Sequence, residues 1–269
     1  MDAELVRRRL ALSRAQAAEV ITAGSVLVGG SVAEKPSRLV AADEAIELVG
    51  PPPRFVGRGG EKLDAALERF GLDVAGLRAL DAGASTGGFT DCLLQRGATS
   101  VVAVDVGRGQ LHERLRADAR VEVLERTHIG DLAPDRFGEQ RFGLVVADLS
   151  FISLTRVARA LVDLTGDGGH LVLLVKPQFE AGRREAARGR GVIRDPAVWR
   201  RVLEEVITAF HGAGAAMMGV MPSPLRGADG NVEFLVSLIR RAGSIPGLVP
   251  DDQAAIDTAV AAAIGEGVR

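Results

Sequence analysis

The first fifty residues carry short apolar stretches separated by turn signals, and they predict a small mixed α and β unit. "ELVRRRLAL" has helical spacing, and "SRAQAAEVITAG" predicts a second helix that starts with a capping box of Ser13 and Gln16 and ends at Gly24. Gly29 and Gly30 then separate two β-type runs in "SVLVGGSVA", which is the signal of a hairpin. "EAIELVG" adds one more strand.

From "EKLDAALERFGL" onward, helical and strand-like patterns alternate, which is typical of a parallel α/β sheet. "AAMMGVMPSP" and "NVEFLVSLIRR" are both strand-like, and the short "LRGADG" between them forces an antiparallel hairpin at the sheet edge. The predicted fold class is α/β: a Rossmann-like, mostly parallel seven-stranded sheet with an antiparallel last strand. The sheet of a dinucleotide dehydrogenase would continue with helices. A parallel sheet that closes with a reversed last strand instead resembles the sheet of S-adenosylmethionine-dependent methyltransferases. The other five strands are predicted at residues 77–83, 100–107, 121–126, 142–151 and 169–179.

Changes of pattern also predict the domain limits. "GPPPR" is a stiff break after the first unit, and the helix–strand alternation ends shortly before Gly243. We therefore expect a small domain at 1–50, a linker at 51–60, a large domain at 61–242 and a C-terminal tail at 243–269.

Composition excludes several classes of protein. With 269 residues and 47% apolar side chains the chain has enough material for a large core, and a net charge of −2 gives no overall field that attracts nucleic acid. The single Cys92 excludes a disulfide framework, and the four scattered histidines lack metal-ligand spacing, so no metal is expected. The absence of an apolar run of membrane-spanning length and of a signal-peptide core predicts a cytoplasmic protein without a membrane partner.

The segment "LDAGASTGGFTDCLLQRG" is a strand, a glycine-rich turn and the start of a helix. Gly83, Gly87 and Gly88 allow the backbone to approach a ligand, and Asp105 at the end of the next strand is placed to accept hydrogen bonds from ribose hydroxyls. These features fit a nicotinamide or an adenosyl ligand. The spacing departs from G-x-G-x-x-G, and together with the terminal hairpin this favours the adenosyl ligand. Asp131 is a candidate for the adenine side of the pocket, or simply an exposed loop residue.

Ionisable residues mark the ends of several predicted strands. Asp148 follows the fourth strand within "ADLSF", Lys176 closes the fifth, and Glu233 begins the last. The Asp-Pro-Pro turn of enzymes that methylate base amines is missing, and Cys92 lies in the wrong place for attack on a pyrimidine ring, which leaves transfer to a hydroxyl. A lysine can accept the hydroxyl proton only as a neutral amine, a form that burial and a second cation, here Lys62 in "RGGEKL", both favour.

This quartet resembles that of ribose 2′-O-methyltransferases of the FtsJ type. The succession of "GRGGEKL", "LDAGASTGGFTD", "VVADLSFISL", "LVKPQFE" and "GNVEF" resembles the TlyA family, also called hemolysin A proteins, over residues 3 to 241. The resemblance implies an enzyme that uses S-adenosylmethionine to methylate the ribose of a cytidine in ribosomal RNA. The implied substrate is the large ribosomal subunit and, in some members of the family, also the small subunit. In this family the modification is associated with susceptibility to capreomycin and viomycin. The resemblance also implies Lys176 as the base with Lys62, Asp148 and Glu233 as its partners. The implied cofactor pocket comprises Asp81, Gly83, Ala84, Ser85, Thr86, Gly87, Gly88, Phe89, Asp105 and Asp148.

The first fifty residues resemble an S4 RNA-binding domain. They hold six Lys or Arg and seven Asp or Glu residues, so RNA binding requires the cations to cluster on one face. A second cationic segment is the loop "AGRREAARGRGVIR", which contains five arginines after Lys176. The candidate RNA-binding residues are Arg7, Arg8, Arg9, Ser13, Arg14, Gln16, Lys35 and Arg38 in the first unit, and Arg183, Arg184, Arg188, Arg190 and Arg194 in the loop.

Three alternatives stay open at this stage. The first is a non-catalytic RNA-binding protein on an inactive methyltransferase fold. The second is a membrane-lytic hemolysin, for which the sequence offers no amphipathic or spanning segment. The third is a nicotinamide-dependent dehydrogenase, which the terminal hairpin disfavours.

Overall fold

The computed structural model describes residues 1–8, 10–11, 14–22, 24–50, 53–138, 141–182, 185, 187, 189–227, 229–243, 245 and 247–266, without the side chains of residues 15, 16 and 19. The chain divides into two compact units, Met1–Gly57 and Arg58–Arg269.

The first unit contains two helices and a three-stranded antiparallel sheet. Helices α1 and α2 span Asp2–Arg7 and Arg14–Thr22, and strands β1, β2 and β3 span Val26–Val28, Ser31–Val32 and Ile46–Leu48 in the order β2-β1-β3. The predicted hairpin is confirmed: Gly29 and Gly30 join β1 to β2 with φ values of 58° and 80°, which glycine adopts readily. The proposed capping box lies outside the described residues.

The second unit alternates helices and strands as the sequence predicts. Its strands are β4 (Arg78–Ala82), β5 (Ser100–Val104), β6 (Val121–Leu124), β7 (Phe142–Ala147), β8 (Thr165–Val175), β9 (Ala215–Pro222) and β10 (Phe234–Arg240). Its helices are α3 (Gly59–Arg69), α4 (Gly88–Gln95), α5 (Glu113–Arg116), α6 (Leu154–Leu164), α7 (Pro177–Glu180), α8 (Pro196–Ala213) and α9 (Pro250–Glu266). Two short 3-10 helices, Ile129–Asp131 and Pro134–Phe137, follow β6.

These seven strands form one sheet in the order β6-β5-β4-β7-β8-β10-β9. The five strands from β4 to β8 are parallel, while β10 runs antiparallel to both β8 and β9. The predicted fold class and edge hairpin are therefore confirmed. The carboxyl ends of the parallel strands share one edge, which is where ligands bind in open α/β sheets.

The fifth parallel strand ends earlier than the sequence predicts. We expected a strand up to residue 179, but β8 stops at Val175 and Pro177 opens the helical turn α7. The proline ring fixes φ near the helical value, and its missing N–H favours the first position of a helix. Lys176 therefore lies at the junction of strand and helix.

The C-terminal segment is part of the core of the second unit. The sequence predicts residues 243–269 as a C-terminal tail; within it, α9 buries Ile256, Ala259, Val260 and Ala263 in the main hydrophobic cluster. Alanine-rich helices bury little area per residue, so their sequence pattern gives only a weak signal of burial. Within the described residues, no helix is long and apolar enough to cross a membrane.

Candidate active site

Strand register brings the ionisable residues together at the carboxyl edge of the sheet. Phe234 of β10 pairs with Val175 of β8 in an antiparallel register, so their neighbours Glu233 and Lys176 face each other where the pairing ends. Asp148 directly follows β7, the other neighbour of β8, and its backbone N–H donates to the carbonyl of Ala82.

Lys62, Asp148, Lys176 and Glu233 form two ion pairs. Lys62 Nζ lies 2.5 Å from Glu233 Oε2, and Lys176 Nζ lies 2.5 Å from Asp148 Oδ1. Lys62, Glu233 and Lys176 are buried, whereas the Asp148 side chain keeps 25% of its surface exposed. Because each buried amine has a carboxylate partner, the site avoids the large cost of an isolated buried charge. The structure thus brings together the four residues that the sequence analysis selected.

Lys176 has further contacts that fix its position. Its Nζ donates a hydrogen bond to Ser150 Oγ at 3.1 Å and lies 5.8 Å from the centre of the Phe179 ring. Its backbone carbonyl accepts the N–H of Phe179 at 2.9 Å at the start of α7. The amine is therefore held at the edge of the sheet by Ser150 from the segment after β7 and by Phe179 from α7.

The glycine-rich turn leaves no space for a side chain at its first glycine. Gly83 follows β4 with φ of 84°, and a Cβ there would overlap the backbone carbonyl oxygen of Asp148. The N–H of Gly83 donates to the carbonyl of Val104 at 2.8 Å. Gly83 therefore permits the close approach of the β4 and β7 ends that the site requires.

Asp105 organises the neighbouring turn through both of its carboxylate oxygens. Oδ2 accepts the N–H of Ser85 at 2.8 Å, and Oδ1 accepts the N–H of Gly107 at 2.7 Å. A carboxylate has about four acceptor positions, so each oxygen keeps a lone pair for a ligand.

A cleft of about 330 Å³ lies beside these residues. Four predicted cofactor residues line it: Gly83, Ser85, Asp105 and Asp148. Ten further residues line the cleft that were not predicted from the sequence. Three of them, Thr127, His128 and Ile129, follow β6, and the position of a strand end on the ligand edge was the available signal for them. Asp131 is exposed and does not line the cleft, which has His128 and Ile129 at this position. The missed lining residues are Val104, Val106, Gln110, Thr127, His128, Ile129, Leu149, Ser150, Phe151 and Ile152.

The remaining predicted cofactor residues lie outside the cleft lining. Gly87 has φ of 99° at the start of α4, and a Cβ there would overlap Leu115. Phe89 is buried beneath Gly59, whose Cβ position lies 3.3 Å from the Phe89 ring. These residues therefore support the conformation of the glycine-rich turn without lining the cleft. The residues in this group are Asp81, Ala84, Thr86, Gly87, Gly88 and Phe89.

Asp81 is a fully buried carboxyl group at the end of β4. Its Oδ2 accepts a hydrogen bond from Thr90 Oγ1 at 2.6 Å, while Oδ1 has no hydrogen-bond partner among the described residues. Burial raises the pKa of Asp81 to about 7; the nearby Asp148 and Asp105 carboxylates add to the rise, and the bond from Thr90 opposes it.

The raised pKa of Asp81 predicts a pH-dependent stability. Between the ordinary value of 3.8 and about 7 the folded chain holds a proton that the unfolded chain has lost. The free energy of unfolding should therefore fall as pH rises through this window, by roughly 1.4 kcal/mol per pH unit. Urea unfolding of wild type and Asp81→Asn should show the variant gaining relative stability from pH 5 to pH 7. A difference that does not change with pH would contradict the assignment.

The cations of the first unit are mostly paired with nearby acids. Glu4 accepts hydrogen bonds from both Arg7 and Arg8, which lower its pKa to about 2. Arg14 lies 2.9 Å from Asp2, and Arg38 lies 3.2 Å from Glu44, while Lys35 is exposed. Arg9, Ser13 and the Gln16 side chain fall outside the described residues.

The arginine-rich loop is described only in part. Arg183, Arg184 and Arg188 lie outside the described residues, while Arg190 and Arg194 are exposed. Asn231, which is buried, accepts the N–H of Ile193 and donates to the carbonyl of Gly191, each at 2.9 Å. The end of this loop is therefore attached to the chain segment that carries Glu233.

Comparisons with known proteins agree with this architecture. Residues 55–240 match the model of the FtsJ-like methyltransferases, and residues 2–46 match that of the S4 domain. The chain is 51% identical over 239 residues to a Mycobacterium tuberculosis protein named 16S/23S rRNA (cytidine-2′-O)-methyltransferase TlyA, covering 88% of each chain.

Solved structures show the same relationship. A hemolysin-like protein from Streptococcus thermophilus is 36% identical with a TM-score of 0.78, covering 100% of this chain and 98% of the other. An S-adenosylmethionine-dependent methyltransferase from Listeria monocytogenes, at 16% identity and a TM-score of 0.52, shares the fold over 69% of this chain and 100% of its own. The chain therefore belongs to the FtsJ-like methyltransferase family, as a TlyA-type member that carries an S4 domain before the methyltransferase domain.

Proposed function

We propose that this chain transfers a methyl group from S-adenosylmethionine to the 2′-hydroxyl of a cytidine in ribosomal RNA. The main support for the proposal is the presence of two ion pairs, Lys62–Glu233 and Lys176–Asp148, beside the cleft at the carboxyl edge of the sheet. The name of the 51% identical relative supports the substrate.

The residues around the cleft fit S-adenosylmethionine. Asp105 keeps acceptor positions for ribose hydroxyls, and Val104 and Ile129 supply apolar contact for an adenine ring. Gly83 and Asp148 both line the cleft, and Gly83 permits the close approach of the β4 and β7 ends there. When bound, S-adenosylmethionine supplies a methyl group that is already activated by its positive sulfonium.

Lys176 is the proposed general base. A ribose hydroxyl has a high pKa and is a poor nucleophile until a neutral amine accepts its proton. In the ion pair the Lys176 ammonium already faces Asp148 at 2.5 Å, so the amine must first release a proton to solvent; Asp148 then stabilises the ammonium ion that forms again when the amine accepts the ribose proton. Lys62, held by Glu233, supplies positive charge for the oxygen as it loses its proton. Much of the acceleration comes from orientation, because the attacking oxygen must be held in line with the methyl carbon.

We propose that residues 1–50 hold the RNA as an S4 domain and that 61–242 carry the methyltransferase fold, against whose core helix α9 packs. Arg7 and Arg14 have largely exposed side chains, and Lys35 is exposed. Their pairing with carboxylates can be exchanged for pairing with phosphates, which gives a salt-dependent contribution to binding. A ribosomal substrate also places the proposed reaction in the cytoplasm.

Arg7 and Arg8 should respond differently to substitution. The Arg8 guanidinium donates to the backbone carbonyls of Glu44, Ala41 and Ala42 at 2.7, 3.1 and 3.0 Å, so it links α1 to a distant loop. Arg8→Ala should destabilise the first unit by about 1–3 kcal/mol, which faster amide hydrogen exchange in residues 1–50 would reveal.

Arg7→Ala is the matched substitution. It should leave hydrogen exchange unchanged because the Arg7 side chain is 62% exposed and bonds only to Glu4 among the described contacts. It should weaken RNA binding and reduce the salt dependence of that binding. Equal effects of the two substitutions on exchange would contradict this division of roles.

The function is tested with ribosomal subunits from bacteria that lack the modification. The protein is incubated with labelled S-adenosylmethionine and with large or small subunits separately, and label in the RNA is measured. We expect label in large-subunit RNA, and the name of the relative supports the small subunit as well. Tight cofactor binding in calorimetry without any transfer would instead favour a non-catalytic RNA-binding protein.

A further inference from the structure

Glu180 lies near the proposed base but outside the ion-pair quartet. It ends α7, the helical turn that begins one residue after Lys176. Its backbone N–H donates to the carbonyl of Lys176 at 3.2 Å. Its carboxylate forms hydrogen bonds at the start of helix α6.

The Glu180 carboxylate holds the loop that precedes α6. Its Oε1 accepts the backbone N–H of Leu154 at 2.9 Å, and its Oε2 accepts the hydroxyl of Ser153 at 2.5 Å. The first N–H groups of a helix have no partner inside the helix, and a carboxylate at that end is favoured by the helix dipole. Glu180 thereby fixes one end of residues 149–153.

The same loop carries groups that contact Lys176 and the cleft. Ser150 accepts the hydrogen bond from Lys176, and Leu149, Ser150, Phe151 and Ile152 line the cleft. Phe151 has φ of 66° and is 90% exposed, and its ring lies 5.1 Å from the ring of Phe179. A left-handed conformation at a bulky residue persists only when the surroundings enforce it.

We propose that Glu180 is a positioning residue: by bonding to Ser153 and Leu154, it holds the 149–153 loop in the conformation that presents Ser150 to Lys176. The proposal rests on the proposed methyl transfer, because its consequence is the placement of the amine that accepts the ribose proton. The strand end at Asp148 fixes the loop at one side and Glu180 fixes it at the other. Without the second attachment, the left-handed Phe151 backbone is free to relax.

The test compares Glu180→Ala with Glu180→Gln. Alanine removes both acceptors, whereas the glutamine carbonyl can accept from Leu154 and its amide can donate to Ser153. A displacement of about 1 Å at a reacting group costs on the order of a hundredfold in rate. We therefore expect Glu180→Ala to lower kcat by roughly ten- to a hundredfold, and Glu180→Gln to restore most of it. Glutamine as inactive as alanine would overturn the hydrogen-bonding role.

Hydrogen exchange provides a measurement that does not depend on turnover. In the protein without RNA or cofactor, Glu180→Ala should accelerate exchange at residues 150–154 and leave the strands unchanged. Glu122→Ala, at an exposed position on β6, is the matched control and should change neither exchange nor kcat. Unchanged exchange in Glu180→Ala would overturn the proposal.

A second substitution keeps the test informative if Glu180→Ala unfolds. Ser153→Ala removes one of the two Glu180 contacts and also the cap that the Ser153 hydroxyl provides for the Thr155 N–H. It should lower kcat in the wild-type background and lower it less in the Glu180→Ala background, because the shared contact can be lost only once. Fully additive losses would overturn the proposal. A wild-type protein that transfers no methyl group would refute the proposed function, while the exchange measurement would still decide the role of Glu180 in the loop.

Discussion

Replacing Lys176 by alanine is expected to lower methyl transfer by on the order of 10² to 10⁴-fold, the usual contribution of a general base, while S-adenosylmethionine binding is retained. Lys176 is absent from the lining of the cleft, so its loss leaves the cofactor contacts in place. Single-turnover transfer and calorimetry measure the two quantities separately. Transfer at the wild-type rate would remove Lys176 from the mechanism.

Lys62→Ala is the informative partner of this substitution. Lys176→Ala leaves Asp148 without its amine, but a quarter of the Asp148 side chain is exposed and water can solvate it. Lys62→Ala leaves Glu233, only 3% exposed, as an unpaired buried carboxylate. Breaking a buried pair in this way costs about 3–5 kcal/mol, so thermal unfolding should show Lys62→Ala to be the less stable variant.

Gly83→Ala is expected to abolish detectable S-adenosylmethionine binding and to destabilise the second unit. The backbone at Gly83 is left-handed, and the added methyl group would overlap the carbonyl oxygen of Asp148, which cannot rotate away like a flexible side chain. Strain and overlap together should cost several kcal/mol, since overpacking alone costs about 1–3 kcal/mol. Calorimetry and thermal unfolding report the two losses.

Gly71→Ala separates backbone strain from overlap. Gly71 is also left-handed, with φ of 64°, but no heavy atom lies within 4 Å of the position its Cβ would occupy. We expect a loss of about 1 kcal/mol in stability, the cost of a left-handed backbone at a residue with a Cβ, and normal cofactor binding. If Gly83→Ala binds S-adenosylmethionine as well as Gly71→Ala does, the close approach of the β4 and β7 ends is not needed for the cleft.

The sequence predicted the sheet because each strand and helix has a distinct local pattern. It also identified Lys62, Asp148, Lys176 and Glu233, since family motifs surround all four. It did not predict how they pair. The register between β10 and β8 places Glu233 opposite Lys176, yet Glu233 bonds to Lys62. The pairing therefore also depends on how α3, which carries Lys62, packs against the sheet edge.

Other features could not be predicted because they depend on tertiary packing. The cleft uses apolar residues such as Ile129, whereas the sequence analysis had selected the charged Asp131 nearby. The burial of α9 depends on small alanine side chains that fit against a neighbouring surface. The cations of the first unit stand beside acids such as Glu4, an arrangement that a count of charges cannot reveal.

The most direct test of the proposed reaction is the identity of the methylated nucleoside. Ribosomal RNA from subunits treated with the wild-type protein and S-adenosylmethionine is digested to nucleosides and analysed by mass spectrometry, beside a Lys176→Ala reaction. We predict 2′-O-methylcytidine in the wild-type reaction and none above background in the variant. A methyl group on a base, or equal 2′-O-methylcytidine in both reactions, would contradict transfer to a ribose hydroxyl by Lys176.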